Sequence, residues 1–143
     1  MNGTDFVDFA GKIAATYSDA ASCRSAISRA YYGAFHLAKL FLDGSGIRPP
    51  RNANAHVFIQ HRLANCGYSQ AVEAGSFLAD LYADRINADY NLHKTQVENI
   101  QYARTCVVTA IRIRDALEAC DTDQVREQIK SGISDYERRM SGS

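Results

Sequence analysis

Ile27-Ser28-Arg29-Ala30-Tyr31-Tyr32-Gly33-Ala34-Phe35-His36-Leu37-Ala38-Lys39-Leu40-Phe41 is the stretch that decides the fold. Ile27, Ala30, Tyr31, Ala34, Leu37, Ala38 and Phe41 recur at the three- and four-residue steps that share one face of an α-helix. Tyr32, Phe35, His36 and Lys39 form a second stripe. A helix apolar on more than one side packs against several neighbours, or against a neighbour and a second subunit. Alanines beside aromatics suit close approach of other helices. Two consecutive tyrosines on different faces leave one hydroxyl in need of a partner. The helix is expected from Ser22 to Leu42, where Asp43-Gly44-Ser45-Gly46 stops it.

The same reading extends in both directions. Thr4 or Asp5 is expected to cap a first short helix running to about Tyr17. The segment Ile47-Arg48-Pro49-Pro50-Arg51-Asn52 is too polar and proline-broken for regular structure. A short helix is predicted over Ala55 to Asn65, ended by Gly67, and Ser69 can cap another that reaches about Ala88. Thr95-Gln96-Val97-Glu98 has the pattern of a capping box, so a long helix is expected from there to about Ala119. Asp121 or Thr122 caps a last, more polar helix. Strand signals and internal repeats are absent. The expected fold is all-α, an up-and-down bundle of four to five main helices. It forms a single domain over residues 1–143, with its core in about 22–119 and a C-terminal helix and tail over 120–143.

Composition bounds the function. A chain of 143 residues, 46 % of them hydrophobic, can bury a core without metals or disulfides. Sixteen basic residues balance sixteen acidic ones, so any nucleic-acid site must be local. Cys23, Cys66, Cys106 and Cys120 are scattered, as expected of reduced, mostly buried thiols in a cytoplasmic protein. No apolar run approaches the length of a membrane span, and no leader pattern is present, so neither membrane association nor secretion is expected. His56 and His61 are poorly spaced for two ligands on one helix face, and no phosphate-binding glycine motif occurs. No metal and no cofactor is expected. His36 reads as a satisfied core histidine, and Arg48 to Arg51 as a solvated basic edge.

Charge on an apolar face is the functional signal. Ala71, Ala74, Leu78, Leu81, Tyr82 and Ile86 share one helical arc, with Asp80, Asp84 and Asn87 outside it. Arg85 falls in the middle of that arc. A guanidinium left unpaired in a core loses several kcal/mol of solvation, so Arg85 must meet a carboxylate, reach past the helix end or line a polar cleft. Arg104 falls among Val97, Ile100, Val107, Val108 and Ile111, which suggests a polar pocket shared with Arg85. The competing reading is a buried arginine–carboxylate network with Asp89 or Glu98. The next turn, Asn87-Ala88-Asp89-Tyr90-Asn91-Leu92-His93-Lys94, is richer in functional groups than a turn requires. Arginine binds phosphate through paired hydrogen bonds, and histidine moves protons near neutral pH. Arg85 and His93 are therefore the candidate catalytic pair for RNA phosphodiester chemistry. Asn87, Asp89, Tyr90 and Arg104 are the candidate nucleic-acid contacts.

Ser28-Arg29-Ala30-Tyr31-Tyr32-Gly33-Ala34-Phe35-His36, followed by the run from Arg85 to Tyr90, resembles the paired motifs of prokaryotic HEPN-domain proteins. The resemblance covers roughly Ser22 to Leu117. It implies a HEPN-like helical bundle, usually a homodimer with the arginine motifs of both subunits facing one cleft. Active members are metal-independent endoribonucleases of toxin–antitoxin and defence systems, and many are paired with a nucleotidyltransferase antitoxin. Their signature is Arg, four to six residues, then His. Here Arg85 matches the arginine, Ile86 stands where Asn is usual, and Tyr90 stands at the four-residue gap. His93 follows Arg85 after seven residues. The function this implies is a degenerate or non-catalytic member that binds RNA, a nucleotide or a partner protein. The alternative is an active endoribonuclease toxin that cleaves RNA at a dimer cleft.

Overall fold

The computed structural model describes residues 1–142, and among these the chain is all-helical, with no strand. The helices are α1 (Gly3–Thr16), α2 (Ala20–Gly44), α3 (Ala55–Ala64), α4 (Ser69–Tyr90), α5 (Ile100–Ala119) and α6 (Asp123–Ser141). Side-chain caps set several of the boundaries. Asn2, rather than Thr4 or Asp5, caps α1: it accepts from the Thr4 N–H, and Asp5 accepts in return from the Asn2 N–H at 2.7 Å. Asp19 caps α2, which begins at Ala20, two residues ahead of the expected start, and Thr122 caps α6. Gly46 and Gly67 have φ of +81° and +82°, left-handed values that end their helices with least strain in glycine.

One boundary differs in kind from expectation. Thr95–Glu98 forms a separate 3₁₀ turn, and α5 begins only at Ile100, capped by Asn99 through the N–H groups of Gln101 and Tyr102. The reason lies in Glu98. A capping box needs its carboxylate to reach back to the Thr95 backbone, but that carboxylate is held by Arg24, 2.7 Å away on α2.

α2 is the central helix and packs against α1, α3, α4 and α5. Ile27, Ala30, Tyr31, Ala34, Ala38 and Phe41 are buried as its first stripe requires, and Leu37 is half-buried. The second stripe divides: Phe35 is buried, Tyr32 and Lys39 are half-buried, and His36 is exposed. His36 is thus a surface group stacked on Phe6, with ring centres 5.8 Å apart, and not a core histidine. The buried cluster runs from Val7 on α1 to Ile133 on α6. All four cysteines are buried thiols. No helix among the described residues is long and apolar enough to cross a membrane.

Close helix contact is written in glycine. At the crossing of α1 and α2, a Cβ on Gly33 would sit 2.5 Å from Val7 Cγ2 and 2.7 Å from the Gly3 carbonyl oxygen. Glycine inside a helix is normally worse than alanine by about 0.5–1 kcal/mol. Gly33→Ala is nevertheless expected to destabilise the protein by about 1–3 kcal/mol, because the methyl group forces two backbones apart. Urea denaturation measures this; a stabilised variant would contradict the packing.

Candidate functional site

The site is built on the end of α4, where the last carbonyls of a helix lack intrahelical partners. Arg24, buried on α2, fills that need. Its Nη1 donates to the carbonyls of Asn87 and Ala88, both at 3.0 Å, and Asn91 at 3.3 Å. Nη2 donates to the carbonyls of Leu92 at 3.1 Å and Lys94 at 2.9 Å, and Nε to Glu98 at 2.9 Å. A cation at a helix C-terminus also meets the negative end of the helix dipole. Sequence reasoning missed Arg24, although its place one turn ahead of Ile27 and Ser28 and two turns ahead of Tyr31 marks it as facing inward. Glu98 does serve a buried arginine, but that arginine is Arg24.

Arg85 is inward-facing as expected, with its side chain 11 % exposed. Its Nε donates to Asp89 Oδ2 at 2.8 Å, and Ser28 Oγ donates to the same oxygen at 3.0 Å. Nη2 donates to the hydroxyl of Tyr32 and, at 3.4 Å, to that of Tyr90. The guanidinium lies over both rings, 4.8 Å from the centre of Tyr32 and 5.2 Å from that of Tyr90. Burial works against its charge, but Tyr32, Asp89 and Tyr90 more than offset this, and the group stays protonated. Nη1 has no hydrogen-bond partner and reaches solvent.

A second guanidinium, that of Arg29, lies 5.7 Å from the Tyr32 ring centre and 5.5 Å from that of Phe6. Among the described residues it has no carboxylate partner. Tyr32 therefore carries two cations, and only one carboxylate, Asp89, is paired with them. A chain of zero net charge concentrates positive charge here.

His56 completes the cluster from α3. Its Nδ1 hydrogen-bonds the hydroxyl of buried Tyr31, and its ring stacks on Phe35 with centres 4.6 Å apart. Tyr82 meets it edge-on at 5.1 Å and Tyr32 at 6.5 Å. Burial, and then the charge of Arg85, push the His56 pKa below its ordinary value. Burial likewise drives the Tyr31 phenol far above its usual value, so its proton stays in place. The sequence reading weighed His56 as half of a metal pair and as a neighbour of the basic Arg48–Arg51 edge, not as part of this cluster. The signal that finds it is the tyrosine pair: Tyr31 takes His56 as its partner and Tyr32 takes Arg85.

The remaining expected residues separate. Asp89 and Tyr90 join Arg85. Asn87 shapes the turn instead, accepting from Asn91 Nδ2 at 2.8 Å. His93 is exposed on that turn and engages in no hydrogen bond or ion pair. The polar pocket expected between Arg85 and Arg104 does not form. Arg104 is exposed on α5 and its Nε donates to the Ala14 carbonyl, 3.3 Å away on α1. The buried stripe of α5 is Ala103, Cys106, Val107, Ala110, Ile113 and Leu117, which turns Arg104 outward and leaves Val108 exposed. Asp84, expected outside the apolar arc of α4, is half-buried against α5 and accepts from the Tyr102 hydroxyl and, at 3.6 Å, from Cys106 Sγ. No trio of His, Cys, Asp or Glu side chains among the described residues is placed to hold a metal ion. No family model, no curated protein and no solved structure matches this chain.

Two measurements test this geometry. Arg24→Leu is expected to destabilise the protein by about 3 kcal/mol, because it strands the Glu98 charge and the carbonyls at the end of α4; a loss under about 1 kcal/mol, the value of an ordinary hydrogen bond, would contradict it. Lowering the pH should also weaken the fold. With the His56 pKa depressed on folding, the unfolded chain gains its proton first, near the ordinary value of about 6.5. The stability from neutral His56 is therefore present above that pH and lost as pH falls through it. His36, its ring partly desolvated where it stacks on Phe6 and then faced by the charge of Lys39, also has a lowered pKa and acts in the same direction. Urea midpoints between pH 7.5 and 5.5 should fall for the wild type and fall less for His56→Phe; equal falls would contradict the assignment.

Proposed function

We propose that the chain is a HEPN-like module that binds single-stranded RNA through its phosphate backbone at the Arg85 cluster. The observation that carries this reading is Tyr32 flanked by two guanidinium groups, one of them without a carboxylate. Nη1 of Arg85 and the fork of Arg29 are the free donors for phosphate oxygens. Tyr90 is 66 % exposed, and one face of its ring is covered by Arg85, which leaves an aromatic surface on which a base stacks. A local cationic patch on a neutral chain fits a partner that brings its own dense negative charge. The resemblance of the tyrosine helix and the Arg85–Tyr90 run to HEPN-domain proteins supports the same reading. From that resemblance we carry forward a homodimer, a nucleotidyltransferase as protein partner, and a cytoplasmic place in a toxin–antitoxin or defence system.

Fluorescence anisotropy with a labelled 20-nucleotide single strand of RNA tests the proposal. Arg85→Ala and Arg29→Ala are each expected to weaken binding about tenfold and to lower the salt dependence by about one phosphate contact. Tyr90→Ala should cost about 1–3 kcal/mol of affinity, the range of base–aromatic stacking. Binding that is insensitive to all three substitutions, or absent in the wild type at low salt, would overturn the reading.

A further inference from the structure

We propose that the RNA track continues past Arg85 along α2 and onto α1, where a nucleobase stacks on His36 in a shallow pocket walled by Phe6 and Leu40. The inference rests on the RNA-binding reading above and adds a second subsite to it.

Arg29, Tyr32, His36 and Leu40 follow one another at steps of three and four residues, so they form a stripe along one face of α2. Ring contacts join that stripe to the Arg85 cluster and to α1. Tyr32 lies against Arg85, and its ring centre is 6.5 Å from that of His36. Phe6 of α1 stacks on His36 with the planes 17° apart. Arg29 sits between Phe6 and Tyr32, 5.5 and 5.7 Å from their centres. Aromatic and cationic groups thus run without interruption from Arg85 to His36. At 1.5 Å of rise per residue, Leu40 lies about 12 Å beyond Tyr32 along α2. A stacked strand advances about 3.4 Å per nucleotide, so about three or four nucleotides cover that distance.

His36 is built as a stacking platform. Phe6, Tyr32 and Phe35 hold its ring in one orientation, yet the residue is exposed. Neither ring nitrogen has a hydrogen-bond partner among the described residues. Partial desolvation and the charge of Lys39 lower its pKa, so at pH 7 it presents a neutral ring. With Phe6, Leu40 and Asn2 it lines a depression of about 330 Å³. That volume stands at the small end of ligand clefts and suits one base.

Charge and continuity select the strand as the occupant. Arg29 forms no ion pair among the described residues, nor does Lys39, which lies one turn after His36 on the same side of α2. The carboxylate of Asp5, on the turn of α1 that carries Phe6, is engaged by the Asn2 N–H. Rings and cations in alternation match a chain that offers bases and phosphates in alternation. An apolar peptide in the same place would leave both cations without a counter-charge.

The chain has no tryptophan, so the emission of a His36→Trp variant reports on this pocket alone. Titration with the 20-nucleotide RNA is expected to quench that emission as a base stacks on the ring, with the same midpoint as the anisotropy. An abasic strand of the same length, which carries the phosphates without the bases, should leave the emission unchanged. His36→Ala, at an exposed position where circular dichroism should show an intact fold, is expected to weaken RNA binding about fivefold or more, the lower end of base–aromatic stacking. Emission that stays constant while the anisotropy shows binding overturns this subsite, as does equal quenching by the abasic strand. So does His36→Ala binding within about twofold of wild type, which lies below the range for stacking. Each of these results leaves the Arg85 reading intact, whereas wild-type protein that binds no RNA overturns both.

Discussion

Arg24 is the interaction on which the site depends. One buried guanidinium gathers the carbonyls of Asn87, Ala88, Asn91, Leu92 and Lys94 and pairs with Glu98. These groups come from the end of α4, the turn after it and the 3₁₀ turn before α5. Without a cation there, the helix end would carry unpaired acceptors beside the half-buried carboxylate of Glu98, a costly combination. With it, the last turn of α4 is fixed against α2, and Arg85, Asp89 and Tyr90 are fixed with it. The same contact takes Glu98 away from the capping role its sequence suggested, and α5 begins later as a result.

The tyrosine pair turns this anchored end into a site. Tyr31 and Tyr32 leave α2 in different directions, and each hydroxyl finds a group of opposite chemistry: a neutral imidazole for Tyr31 and a guanidinium for Tyr32. Their rings meet edge-on at 5.5 Å, so the two halves of the cluster share one aromatic wall. Asp89 keeps Arg85 in place but satisfies only part of its fork, and Arg29 adds a cation that no carboxylate offsets. The balance leaves free donors facing solvent on a rigid scaffold, the arrangement that binds an anion with little reorganisation.

Much of this was legible in the chain, for identifiable reasons. Period and caps revealed the helices, because apolar spacing and helix-end chemistry are local. Arg85 was found because a charge on an apolar arc is a local contradiction, and Asp89 was among its expected partners. Arg104 was misplaced because its arc was drawn through Val108 and Ile111, whereas small residues, Ala103, Cys106 and Ala110, make the tight contact. Small side chains carry little hydrophobic signal but permit the closest approach. Arg24 and His56 were missed for a different reason. Their partners lie on other helices, sixty or more residues away for Arg24 and twenty-five for Tyr31 and His56, and no local pattern encodes such pairs.

The most direct measurement of the central claim is an NMR titration of the ¹⁵N-labelled protein with a short single strand of RNA. It should follow the arginine Nε–H and histidine ring signals as well as the backbone. The expected perturbations concentrate at Arg29, Arg85, Tyr90 and the His56 ring, while the Arg24 Nε–H signal holds its shift because its bond to Glu98 is structural. Perturbations confined to other faces of the bundle, such as the exposed stretch of α5 around Arg104 and Val108, would contradict the assignment of this cluster as the RNA site.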